Sequence, residues 1–169
     1  MPETFDPAHA MGRVLGNLQS LEFSLRLFLY DLGGFNQPAT GDAQAVVNFS
    51  DASVGTWLPM TPLTSYDTLS QLIAKVNAEF AARSFQERID PTMTDLRDAL
   101  THGRVLSRWP QGPLRLVKSS KPQNNEVQVT VSVALTEDWF KVQVRRTLGE
   151  IEKVVRVSQA LGNPGFPKE

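Results

Sequence analysis

Apolar residues at Met11, Val14, Leu18, Leu21, Leu25, Phe28 and Leu32 are separated by gaps that alternate three and four. This spacing draws one stripe along a helix. Asp6-Pro7 ahead of it supplies an N-cap and a first-turn proline, and Gly33-Gly34 closes it. Phe23, Leu27, Leu29 and Tyr30 add apolar surface on the other faces. The second half of this helix is therefore expected to be central to the fold or part of a subunit interface. Residues 33–63 follow no period, because Gly33, Gly34, Pro38, Gly41, Gly55, Pro59 and Pro62 interrupt every element. Within this long loop, Ala45-Val46-Val47 suggests a short strand or a turn of helix, and Trp57 and Leu58 are expected to pin the loop to the body.

Helical period returns at Thr64, where T-S-Y-D offers a capping box with Asp67 in the N3 place. Leu69, Leu72, Ile73, Val76 and Phe80 form the stripe of this second helix, which is predicted to reach about Phe85. Asp90-Pro91 then reads as N-cap and N1 of a third helix through about Ser107. Its inner side holds Met93, Leu96, Leu100 and Gly103, and Trp109-Pro110-Gln111-Gly112-Pro113 stops it. The period changes to two at Leu114-Arg115-Leu116-Val117 and at Val127 to Val133, with Lys121 to Asn125 as the turn. Thr136 opens a last helix with Glu137 and Asp138 in its first turn. Val144, Leu148, Ile151 and Val155 lie along one side of it, and Gly162 closes it. The expectation is one mainly α domain over residues 1–169, with about four main helices and a two-stranded β-hairpin at about 113–134 before the last.

Composition narrows the chemistry. The chain has 169 residues, 41% hydrophobic and 21% charged, which fits a globular domain. It has no cysteine, which removes disulfide scaffolds, thiolate metal sites and a Cys nucleophile. Histidine occurs only at His9 and His102, so a three-His metal site within one chain is impossible, and no metal or cofactor is expected. No apolar run approaches the ~18 residues of a membrane span, and the N-terminus lacks the regions of a signal peptide. A cytoplasmic protein is the expectation. Net charge is −1 but uneven: residues 1–82 hold eight acids and three bases (−5), residues 83–169 ten acids and fourteen bases (+4). No acid stands between Asp98 and Glu126, whereas Arg104, Arg108, Arg115, Lys118 and Lys121 all do, which suggests an anionic partner or a solvated face.

Candidate chemistry concentrates in the third helix, Thr94-Asp95-Leu96-Arg97-Asp98-Ala99-Leu100-Thr101-His102-Gly103-Arg104. His102 is the only interior imidazole and two arginines flank it. On a continuous helix Arg97 and Arg104 would lie about 20° off one face, and Asp98 and His102 would stack four apart. The bland alternative is a surface histidine paired with Asp98, and an Arg97 paired with Asp90, Asp95 or Asp98. His9 reads as incidental, Glu22 and Arg26 as an intrahelical pair or a pair facing the cleft, and Tyr66, Trp109 and Trp139 as packing residues.

Arg97-Asp98-Ala99-Leu100-Thr101-His102 resembles the motif of HEPN-superfamily ribonucleases: Arg, a polar residue often Asn or Asp, three more residues, then His. The continuation His102-Gly103-Arg104 and the order of elements are similar to prokaryotic members as well. The resemblance implies a helical bundle that cleaves RNA without metal, of toxin or antiphage-defence type, leaving a 2′,3′-cyclic phosphate. It implies a homodimer whose motif helices share one cleft, with Arg97 and His102 catalytic, Asp98 and Arg104 supporting, and Arg108, Arg115 and Lys118 touching RNA. Asp98 would orient the imidazole or keep it protonated. The alternative it leaves open is a non-catalytic module that binds nucleotide, RNA or a nucleotidyltransferase-type antitoxin.

Overall fold

The computed structural model describes residues 5–34, 51–107, 113–163 and 165–166. Its order is α1 (Pro7–Leu32), α2 (Leu69–Ala82), α3 (Met93–His102), β1 (Arg104–Leu106), β2 (Arg115–Ser119), β3 (Val129–Ala134) and α4 (Glu137–Leu161). Among the described residues the mainly helical expectation holds, with four helices, but the sheet has three antiparallel strands in the order β1-β2-β3 instead of a two-stranded hairpin. The contact pattern divides the chain into two compact units: residues up to Gln19 with Pro91–Gly149, and Ser20–Asp90 with Glu150 onward.

In the first unit Asp6 accepts from the backbone of Ala8 (2.9 Å) and His9 (3.2 Å), which is the expected cap of α1. Thr136 does the same for α4 through the Trp139 N–H at 3.2 Å. Val14, Leu18, Met93, Leu96, Ala99, Leu100, Leu116, Leu135 and Phe140 are buried, and Trp139 packs edge-on against Phe140 with ring centroids 4.9 Å apart. The β2–β3 connection turns at Asn124 and Asn125, both at positive φ (51° and 63°), with mutual backbone bonds between Gln123 and Glu126. Asparagine tolerates this left-handed backbone, as a tight hairpin turn requires.

The inner side of α4 differs from expectation. Leu148 is 43% exposed, whereas Phe140, Gln143 and Thr147 are buried. The helix has turned its stripe by about one residue toward polar positions. At Thr147 the burial is tolerable because its hydroxyl is satisfied: it donates to the backbone of Gln143 and Val144 at 3.0 Å and accepts from Asn17 Nδ2 at 3.1 Å, whereas Gln143 Oε1 has no partner among the described residues.

In the second unit every residue of the expected α2 stripe is buried, and Phe80 meets Phe28 edge-on at 5.2 Å. The helix begins later than T-S-Y-D suggests. Thr68 is the N-cap, and its capping box with Gln71 is complete. Thr64 instead spends its hydroxyl on the Pro59 carbonyl (2.7 Å) and the Thr61 N–H (2.8 Å). The surplus apolar surface of α1 is largely absorbed within the chain: Leu27 and Tyr30 are buried in a cluster with Leu63, against Phe166, and Phe23 stays 46% exposed. Arg26 pairs with Glu22 at 2.9 Å and also donates to the carbonyls of Pro62, Ser65 and Asp67 at 3.2, 2.8 and 2.7 Å. It is a clamp on that loop. Tyr66, held on the clamped loop, is 95% exposed and Trp57 97% exposed, so neither is the packing residue expected. The Ala45-Val46-Val47 segment lies outside the described residues.

Candidate functional site

Helix α3 is short and one-sided. Met93, Leu96, Ala99 and Leu100 are buried, whereas Arg97, Thr101 and His102 are exposed. It starts at Met93, after a turn in which the Thr94 N–H bonds the Pro91 carbonyl at 3.1 Å, so Asp90-Pro91 precedes the helix and does not cap it.

It also ends five residues sooner than the periodicity suggests. Gly103 bonds back to the Ala99 carbonyl at 2.8 Å and then swings to an extended backbone, φ −72° and ψ 166°. A Cβ at Gly103 would strike the Ala99 carbonyl oxygen and lie 2.7 Å from Leu116 Cδ1. The missing side chain therefore lets β1 fold back against β2 directly after His102. Arg104 is consequently a strand residue and not a helical companion of Arg97.

Pairing register sorts the basic residues onto two faces of the sheet. Arg104 stands opposite Val117, Leu106 opposite Arg115, and Arg115 opposite Ala134. These share one face. Val105, Leu116, Lys118 and Val133 share the other. The second face meets α3: Leu116 is 1% exposed beneath Gly103, and Lys118 Nζ lies 3.2 Å from Asp98 Oδ2. On the first face Arg104, Leu106, Arg115 and Ser132 are exposed, and Arg115 donates to Ser132 Oγ at 3.0 Å. Arg108 lies outside the described residues, as does Trp109.

Asp98 is thus engaged away from the imidazole. Its carboxylate faces Lys118 and, at 3.7 Å, Arg97 Nη1. Among the described residues nothing hydrogen-bonds the His102 ring, which stands in solvent at the end of α3. The arrangement offers one flexible guanidinium, held loosely by a carboxylate, and one freely accessible proton carrier. The Lys118–Asp98 contact and the Arg115–Ser132 contact were not legible in the sequence, since both depend on strand register. His9 is an exposed first-turn residue of α1 and joins none of this.

Among the described residues no three His, Asp or Glu side chains gather as metal ligands, and no helix is long and apolar enough to cross a membrane. No protein-family model, curated protein or solved structure matches this chain with significance.

Proposed function

We propose that this chain is a metal-independent endoribonuclease of toxin or antiphage type, with Arg97 and His102 from two copies lining one cleft. The observation that carries the reading is the exposed pair on α3: Arg97 held only at 3.7 Å by Asp98, and His102 without a hydrogen-bond partner among the described residues. They stand five positions apart, so they leave the helix about 140° apart and about 7.5 Å along it. That divergence favours Arg97 of one copy and His102 of the other acting on the same phosphate.

In this reading one His102 accepts the proton of a ribose 2′-hydroxyl. An O2′–P bond forms, and the P–O5′ bond breaks as the second copy's imidazole protonates the leaving 5′ oxygen. Arg97 bears the charge of the phosphorane. Asp98, tied to Lys118, restrains Arg97 and leaves the imidazole free.

The test incubates total RNA with wild-type protein, Arg97→Ala and His102→Ala in excess chelator, with light scattering to read the assembly state. Wild type is expected to be dimeric and to yield cyclic-phosphate ends. His102→Ala should lose about 10²–10⁴ in rate with an unchanged circular dichroism spectrum. Equal cleavage by wild type and His102→Ala would remove His102 from the chemistry. A folded wild type that binds RNA or a nucleotidyltransferase-type partner without cleaving would leave the binding module as the function.

A further inference from the structure

The open face of the three-stranded sheet has no role in the chemistry above, yet it has a definite composition. Strands β1, β2 and β3 contain three basic residues and no acid. The one turned toward α3, Lys118, is occupied by Asp98 at 3.2 Å. The other two, Arg104 and Arg115, lie on the open face, exposed. By register they are diagonal neighbours across β1 and β2, since Arg104 faces Val117 and Arg115 faces Leu106. Such diagonals are about 7–8 Å apart, within the joint reach of two guanidinium groups. Leu106, opposite Arg115 and two residues along β1 from Arg104, is 51% exposed, an apolar surface beside both charges. Arg115 is steadied by Ser132, and among the described residues the Arg104 guanidinium has no ion-pair or hydrogen-bond partner.

We infer that this face is a docking track for the backbone of single-stranded RNA, with Arg104 and Arg115 on phosphates and Leu106 beneath an unstacked base. Guanidinium grips phosphate through paired N–H donors. The exposed leucine selects an unpaired strand, because a duplex keeps its base faces inside. The track reaches the chemistry by covalent neighbourhood: Arg104 follows His102 with only Gly103 between. This inference rests on the RNA reading of the α3 site and adds where, and in which form, the substrate lies.

The closing experiment uses the full chain and a fluorescent 2′-O-methyl oligouridine of about a dozen nucleotides, which binds but cannot be cleaved because its 2′-hydroxyls are blocked. Affinity is measured between about 50 and 200 mM salt, where each phosphate contact on a single strand adds about 0.7 to the log–log slope. Arg104→Gln with Arg115→Gln is expected to lower the slope by about 1.4. The affinity lost across that salt range should then shrink about sevenfold relative to wild type. Lys141→Gln, an equal charge change per site at an exposed position of α4, should leave the slope as it is. Circular dichroism and melting temperature verify that each variant is folded. A double variant with the wild-type slope, or a Lys141→Gln slope that falls as far per charge, overturns the inference. If the wild type cleaves cellular RNA while the double variant keeps its slope, the track alone is wrong. A wild type that neither binds the oligomer nor cleaves RNA overturns both readings.

Discussion

Replacing Gly103 by alanine tests the junction that places His102 beside the sheet. The backbone at Gly103, φ −72° and ψ 166°, is one any residue adopts, so the cost is steric. The new methyl meets the Ala99 carbonyl oxygen, part of the backbone of α3, and lies 2.7 Å from Leu116 Cδ1, a side chain 1% exposed. Neither neighbour is the free end of a flexible chain. Overpacking of this kind costs about 1–3 kcal/mol, which in a chain of this size lowers Tm by roughly 2–4 °C per kcal/mol. A fall of about 2–12 °C is expected. The control is the same substitution at Gly149, inside α4, where an added Cβ meets nothing within 4 Å. There alanine should gain about 0.4–1 kcal/mol, chiefly by restricting the unfolded chain, and Tm should rise by about 1–4 °C. Differential scanning calorimetry of both variants reads the two signs. A Gly103→Ala protein as stable as wild type would show that α3 and β2 do not approach as described.

Other expectations concern the second unit. Arg26→Ala strips the clamp from the carbonyls of Pro62, Ser65 and Asp67; with charged bonds of this kind worth about 1.5–3 kcal/mol, Tm should drop and amide exchange over residues 62–68 should quicken, and unchanged exchange there would refute the clamp. The Lys75 ammonium, at 2.7 Å, and the Ser65 hydroxyl, at 2.9 Å, hold the Asp67 carboxyl below its ordinary 3.8. A depressed folded-state value stabilises fully above the unfolded value and loses that contribution as pH falls through the folded one. The Tm advantage of wild type over Asp67→Asn should therefore be constant at neutral pH and shrink below about pH 4, and a pH-independent difference would refute the assignment.

Much of the helical framework was legible because its signals are local. The Asp6 and Thr136 caps and the stripes of α1 and α2 stand where period and capping chemistry put them. What failed depended on competition between local signals or on partners distant in sequence. Two threonines compete to open α2, and the true N-cap is Thr68, which has a Gln at N3 to answer it. Strand β1 was hidden because Arg104, Val105 and Leu106 continue a helical pattern that Trp109-Pro110 appeared to terminate. Only the closeness of Leu116, more than ten residues on, explains why a glycine stops the helix at His102. The α4 stripe departs from the pattern for a related reason: Thr147 looks like a solvent residue until Asn17 is seen opposite. In the candidate site, exposure of Arg97 and His102 followed from the apolar spacing of α3. The separation of Arg104 and Arg115 from Lys118 required the strand register.

The bond between Asn17 and Thr147 has a consequence for uniqueness. A ladder of leucines and valines at even three-and-four spacing, such as Val14 to Leu18 on α1, presents nearly the same surface after a slip of one helical turn. Hydrophobic contact by itself distinguishes such alignments poorly. The Asn17 amide facing the Thr147 hydroxyl acts as an index mark within that ladder. A displaced alignment of these two helices takes the half-buried Asn17 amide away from the Thr147 hydroxyl, which keeps its own backbone bonds to Gln143 and Val144, so the slip forfeits one hydrogen bond, about 0.5–1.5 kcal/mol. The pair adds little to the depth of the native state compared with an apolar replacement and much to its singularity. The end of α4 that leads back from β3 is thereby held at one height along α1, and the sheet beside α3 inherits that fixed position.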